Sequence, residues 1–178
     1  MDGLLAFGWT ASSRLSLLLN LQNQFMAHGA VSRIIPAPSH AVFDLIHDYS
    51  RRLEWDTLLQ AAYLTDGHTT AQKGAVSVCV GRRALGGISL KTVYVAFDRP
   101  TLAAVKMVNQ PLFFQSWAAS IRHEPISSAE SRVTYMFQFT SRPRALRCIL
   151  DPVITRVFLW ETRKRLRALD DYFARRGG

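Results

Sequence analysis

The order in which hydrophobic periodicities succeed one another constrains this chain most. The stretch from Met26 to Ile35 gathers apolar residues towards its end and reads as a strand, which stops at Pro36-Ala37-Pro38 because proline has no N–H to give a ladder. Ser39 then suits the N-cap of a short helix running to about Asp48, with Val42, Phe43, Leu45 and Ile46 as its buried side. Tyr49-Ser50 restarts a turn of helix that closes on Glu54-Trp55-Asp56. Helical spacing is lost from Leu58, and by Val76 the period is two, with Val76, Val78 and Val80 alternating with Ser77, Cys79 and Gly81. Gly86-Gly87 marks a hairpin before Ile88 to Asp98, and further strands are predicted at Leu102 to Val108, Leu112 to His123 and Arg132 to Ser141. The breaks between them are short, so the strands should pair antiparallel. From Arg144 to Arg175 apolar residues recur at helical spacing and predict one long amphipathic helix, which either bends at Asp151-Pro152 or restarts there with Pro152 in its first turn. The expected fold class is α+β: a curved antiparallel sheet wrapped round the C-terminal helix, with two short helices after the first strand.

A chain of 178 residues with 48% hydrophobic and 20% charged residues suits one globular domain, assigned to residues 26–178. Residues 1–25 are expected to form an N-terminal extension, helical or poorly ordered. Their apolar run (Leu4, Leu5, Phe7, Trp9, Leu15, Leu17 to Leu21 around Asn20) is interrupted by Arg14 and preceded by Asp2, which argues against a cleaved signal or a membrane span. A helix lying on the domain or on a membrane surface, or an extension upstream of a start at Met26, are the alternatives. Of the net charge of +9, most lies from Arg142 onward, where ten Lys or Arg face four acids. A solvated helix face explains that best, and a peripheral membrane contact or nucleic acid would also fit a basic helix. Nucleic acid ranks lowest because no recognised motif accompanies the charge. Cys79 and Cys148 show no ligand spacing and read as small buried hydrophobes. Nothing calls for an oxidising compartment, so a cytoplasmic location is expected.

A bent sheet wrapped round one helix has more concave area than a cylinder about 10 to 12 Å wide covers, and the remainder forms a cavity. Strand alternation predicts its lining. Val76, Val78, Val80 and Arg82 share one face, as do Lys91, Val93, Val95 and Phe97, and as do Ala103, Val105 and Met107. Trp117, Ala119 and Ile121, and Val133, Tyr135, Phe137 and Phe139, continue it. The expected ligand-binding set takes Val78, Arg82, Lys91, Val93, Phe97, Met107, Trp117, Tyr135 and Phe137 from these faces and adds Trp55 of the short helical turn, a large aromatic of the kind that fills cores or lines pockets. Each has a plain structural role as well: the large aromatics and Met107 fill cores, and Arg82 and Lys91 leave strand ends for water. If both cations stood at the mouth they would favour a carboxylate, phenolate or phosphate. No catalytic residue, metal site or cofactor is assigned. His40, Asp44 and His47 share a helix face, but that face is opposite the apolar one and reads as solvated. His123 beside Glu124 is a weak acid–base signal, and no P-loop, GxGxxG, GxSxG or HExxH pattern occurs.

Val31 to Pro38, Ala41 to Ile46, Tyr49 and Glu54-Trp55-Asp56, followed by Lys73-Gly74 and Leu166 to Leu169, resemble the SRPBCC superfamily of START-like, helix-grip proteins, and within it the polyketide cyclase/dehydrase branch. The similarity spans about residues 28–175. It implies a deep hydrophobic pocket, with the position of Trp55 in the helix pair that closes one end, and it is poorly specific for activity. The leading expectation is binding of a hydrophobic small molecule, such as a lipid, quinone or polyketide-like compound, between sheet and C-terminal helix. The alternatives are a polyketide cyclase/dehydrase-type enzyme, with Tyr135, Arg82 and His123 as candidate acid–base groups, and a membrane-surface or protein interaction module using the basic C-terminal helix.

Overall fold

Seven strands form one antiparallel sheet in a computed structural model that describes residues 26–111 and 113–176. The elements in chain order are β1 (Ala27–Ile35), α1 (Ser39–His47), α2 (Arg52–Trp55), β2 (Leu59–Thr65), β3 (Val76–Gly81), β4 (Ser89–Asp98), β5 (Leu102–Met107), β6 (Phe114–Pro125), β7 (Ser131–Ser141) and α3 (Arg147–Ala174). The sheet order is β1-β7-β6-β5-β4-β3-β2, so consecutive strands from β2 to β7 are neighbours and β1 closes the far edge against β7. The N-terminal extension expected at residues 1–25 lies outside the described residues.

Three bulges bend the sheet. The register slips by one residue at Gln60 in β2, Val95 in β4 and Gln115 in β6, and each extra residue adds local twist. The curved face holds α3, whose Leu166, Leu169 and Tyr172 pack with Ile35, Val42, Leu45, Ile46, Trp55 and Val133 beneath α1 and α2. A second cluster joins Phe114, Trp117, Phe137 and Phe139 to Ile154, Phe158 and Leu159 of α3. A third, under the first turns of α1, joins Phe43, Ala75, Tyr94 and Ala103.

Several local expectations change. Pro38, in an extended conformation, precedes α1, and Ser39 is its first residue rather than its cap. β2 is a full edge strand where only a loss of helical spacing was legible. Helix α3 continues through Pro152 without restarting. In the β3–β4 connection a turn of 3-10 helix at Arg83–Leu85 ends on Gly86 at φ 81°, and Gly87 follows at φ 60°; side-chain-bearing residues avoid that region, so the glycine pair fits the turn. Among the described residues no helix is long and apolar enough to cross a membrane.

Candidate functional site: a cavity with a polar wall

Between the sheet and α3 lies a cavity of about 420 Å³. Its apolar part comes from Leu85 and Ile88 of the β3–β4 connection, Phe113, Phe114 and Trp117 at the start of β6, and Leu150, Val153, Ile154, Val157 and Phe158 of α3. Phe113, Val153 and Val157 both line the cavity and stay at least 42% exposed, which identifies this side as the mouth. Its polar part comes from the elements beside α1 and α2: His47, Tyr49, Arg52, Ser77, Thr92 and Tyr94, with Glu161, Thr162 and Arg165 of α3 facing them.

Asp56 organises that wall from behind. Its fully buried carboxylate accepts hydrogen bonds from Arg52 Nε and Arg165 Nη2, both at 2.8 Å, and from the Leu58 N–H at 3.1 Å. Arg52 also donates to the Ile46 carbonyl. Burial alone would push the Asp56 carboxyl up, but the guanidiniums of Arg165 and Arg52 outweigh it and hold its pKa below the ordinary value. The Arg52 guanidinium lies 4.8 Å from the Trp55 ring and that of Arg165 lies 5.3 Å from the Tyr135 ring, positions that suit cation–π attraction. Arg165 Nε and Glu161 Oε2 are buried with no hydrogen-bond partner among the described residues.

A chain of hydrogen bonds runs beside this triad. His47 Nδ1 and the Tyr94 hydroxyl are 2.9 Å apart, the Tyr94 and Tyr49 hydroxyls 3.1 Å, and the Ser77 and Thr92 hydroxyls 2.9 Å. Burial, with Arg52 nearby, drives the His47 pKa well below its usual value, and burial drives those of Tyr94 and Tyr49 upward. Both members of the His47–Tyr94 pair are therefore neutral around pH 7. They can orient a ligand's oxygen, but each is tuned away from the pKa that proton transfer at neutral pH favours.

The ten sequence-predicted lining residues fare unevenly. Trp117 and Tyr135 line the cavity, with Ala103, Val105, Ala119 and Ile121 on the same inner face. Phe97, Met107 and Phe137 face inward but pack in the surrounding core: Phe97 against Phe43 and His47, Met107 against the Phe114–Trp117 cluster, Phe137 against Phe139 and Phe158. Trp55, the last residue of α2, is buried in the core cluster with α1 and α3, outside the main cavity. The alternation of β3 and β4 was assigned the wrong way round. Ser77, Cys79, Leu90 and Thr92 face the cavity, while Val78 and Val93 lie on the outer face, Val78 opposite Tyr63 and Lys91 and Val93 opposite Val76 and Lys106. Small side chains facing inward leave room for the cavity, and the outer valines reflect their fit to a pleated surface. Lys91 consequently points outward, 3.7 Å from Asp66, and Arg82 is exposed beside the 3-10 turn.

Other assignments shift too. His47 is buried instead of solvated, and Asp44 pairs with Arg99 through two 2.6 Å hydrogen bonds. His123 is buried against Phe43, away from the cavity lining, with neither ring nitrogen partnered among the described residues and its pKa pushed down to about 4 by burial. Cys148 is exposed and Cys79 lines the cavity. The residues that sequence reasoning missed are Arg52, Glu161, Arg165, Tyr49 and Tyr94. A signal existed for two of them: Glu161 and Arg165 continue the 154, 158, 161, 165, 169, 172 spacing of the inward stripe of α3, where a charge is out of place.

Comparison with known proteins agrees with this architecture. In overall shape the chain is similar to an aromatase/cyclase from Streptomyces (TM-score 0.70, 14% identity, covering 86% of this chain and 96% of that one). It is similar to a START superfamily protein from Mycobacterium smegmatis (0.68, 7%, 83% and 97%) and to a major latex-like protein from Panax ginseng (0.66, 14%, 84% and 98%). At these identities the likeness is one of fold. No curated protein sequence matches the chain. The family described as "Polyketide cyclase / dehydrase and lipid transport" matches residues 26–174. With a curved seven-stranded antiparallel sheet closed round a long C-terminal helix, the chain belongs to that family and has the helix-grip fold of the SRPBCC, START-like superfamily.

Proposed function

We propose that this protein binds one hydrophobic small molecule of lipid, quinone or polyketide-like character in the cavity between sheet and α3. The apolar body would lie among Trp117, Ile154, Phe158 and their neighbours, and an oxygen-bearing end would face the Arg52–Asp56–Arg165 wall. The observation that carries this reading is the cavity itself: about 420 Å³, mostly apolar, with convergent polar groups on one side, which is the usual composition of a small-molecule site.

A cyclase or dehydrase activity has one observation in its favour, the His47–Tyr94–Tyr49 chain at the cavity wall. The directions of the His47 and Tyr94 pKa shifts count against it, because a base that is hard to protonate and an acid that is hard to deprotonate transfer protons poorly at neutral pH. Binding without chemistry is therefore preferred.

Native mass spectrometry of the purified full chain, followed by solvent extraction, tests the proposal. The expected result is one apolar small molecule per chain, or, in an empty preparation, saturable uptake of one equivalent from a panel of apolar probes. An empty protein that takes up none of them would overturn it. Turnover of a bound compound that Tyr94→Phe abolishes without weakening binding would instead establish the enzymatic role.

A further inference from the structure

The first half of α3 carries a second apolar face beside the one that lines the cavity. Leu146 just ahead of the helix, and Ile149, Val153, Val157 and Trp160 within it, follow one another at intervals of three or four residues and so form one stripe. All five are exposed, from 42% for Val157 to 63% for Ile149. Val153 and Val157 also line the cavity, so the stripe is one lip of its mouth. Phe113, 43% exposed, belongs to the same rim. An exposed apolar ridge continuous with a ligand cavity marks an interaction site more readily than a set of scattered surface residues does.

Charge says what kind of surface covers it. Residues 82–88 and 142–164, which supply the mouth's turn and the first half of α3, expose Arg82, Arg83, Arg144, Arg156, Arg163 and Lys164. None of the six is within salt-bridge distance of a carboxylate among the described residues, and Lys164 lies 5.2 Å from the Trp160 ring. The acids in the same segments, Asp151 and Glu161, are not exposed. A second copy of the chain would bring the same uncompensated arginines to a twofold interface. Nucleic acid would leave the apolar ridge unused. A bilayer rich in anionic phospholipid satisfies both features, with apolar side chains and Trp160 entering the headgroup boundary and the cations meeting phosphates.

We propose that the rim formed by the α3 ridge, Phe113 and the Arg82–Arg83 turn docks on an anionic membrane surface, with the cavity mouth turned towards the lipid. Docking stands on the ridge and its charges alone. That an apolar ligand then exchanges between membrane and cavity without crossing water rests on the function proposed above. Arg165, for all its place in the basic helix, takes no part, because it is buried against Asp56.

Co-sedimentation of the full chain with vesicles tests this, using phosphatidylcholine mixed with phosphatidylglycerol against phosphatidylcholine alone. Strong partition onto the mixed vesicles that falls in high salt is expected. Neutralising two cations with Arg82→Gln and Arg83→Gln should weaken it by about 30-fold, since each basic side chain near such a surface contributes about fivefold. Trp160→Ser with Ile149→Ser should abolish it, while probe uptake in vesicle-free buffer stays as in the parent. Equal binding to both vesicle types, or unchanged binding by both double variants, would overturn the proposal. So would a concentration-dependent dimer, seen by light scattering and lost in the Trp160→Ser, Ile149→Ser variant, in a protein that ignores vesicles. Loss of probe uptake by a chain that still docks would count against the cavity's function and leave docking standing.

Discussion

Asp56 is the side chain on which the polar wall depends, because its one carboxylate pairs with both guanidiniums, whose burial would otherwise be costly. Asp56→Asn removes the charge from between them and should destabilise the fold by about 3–5 kcal/mol, the usual cost of orphaning a buried charge; urea unfolding would show it as a lowered midpoint. The buried histidines predict how stability responds to acid. His123 has its pKa lowered to about 4, and His47 is shifted in the same direction, so the unfolded chain takes up protons first as the pH falls. Stability should be complete above about pH 6.5 and decline as pH drops towards 4, with His123 alone accounting for about 3 kcal/mol of the loss. His123→Leu should flatten that decline. Asp56 contributes in the same sense but lower on the scale, its stabilisation fading as the pH passes through its depressed folded value. Little of this was visible in the sequence. Asp56 belonged to a recognisable Glu-Trp-Asp run, but its partners are 4 and 109 residues away, and Arg165 looked like one more cation on a solvated helix.

At the level of elements, the sequence spoke clearly where one face is core and ambiguously where a face lines open space. The β5, β6 and β7 alternations placed Ala103, Val105, Trp117, Ala119, Tyr135 and Phe137 on the inner face, where they are. β3 misled because its apolar residues are the outward ones, and the inner Ser77 and Cys79 border a cavity instead of filling a core. β4 misled twice: its alternation is reversed up to Tyr94, and the bulge at Val95 then returns Phe97 to the inside. Two experiments bear on these placements. Thiol alkylation of the native protein should label exposed Cys148 rapidly and Cys79 slowly, with an apolar ligand slowing Cys79 further; equal rates would put Cys79 on the outer face. Gly29 in β1 lies where an added Cβ would stand 2.6 Å from Phe137 Cζ and 2.9 Å from Leu159 Cδ2. Gly29→Ala should therefore displace the Phe137 ring and the Leu159 side chain from their packed positions and destabilise by about 1–3 kcal/mol, measurable as a fall in melting temperature.

For the whole molecule, the periodicity order sufficed for the architecture because most elements, β2 excepted, announce themselves locally, whereas the cavity is a difference between two surfaces that no local pattern encodes. The grip of seven strands on one helix leaves space at the α3 N-terminal half, and the same half presents the exposed ridge, so interior site and outer surface meet at one rim. The central claim is that this space is a ligand site, and the most direct measurement is a fluorescence titration of the full chain with an apolar probe such as a polyene fatty acid, beside an Ala119→Phe variant that fills the cavity from its β6 wall. Saturable binding of one equivalent by the parent, weakened tenfold or more (about 1.4 kcal/mol) in a variant that still melts cooperatively, is the predicted result. Equal affinity in the two proteins, or no saturable binding by the parent, would contradict it.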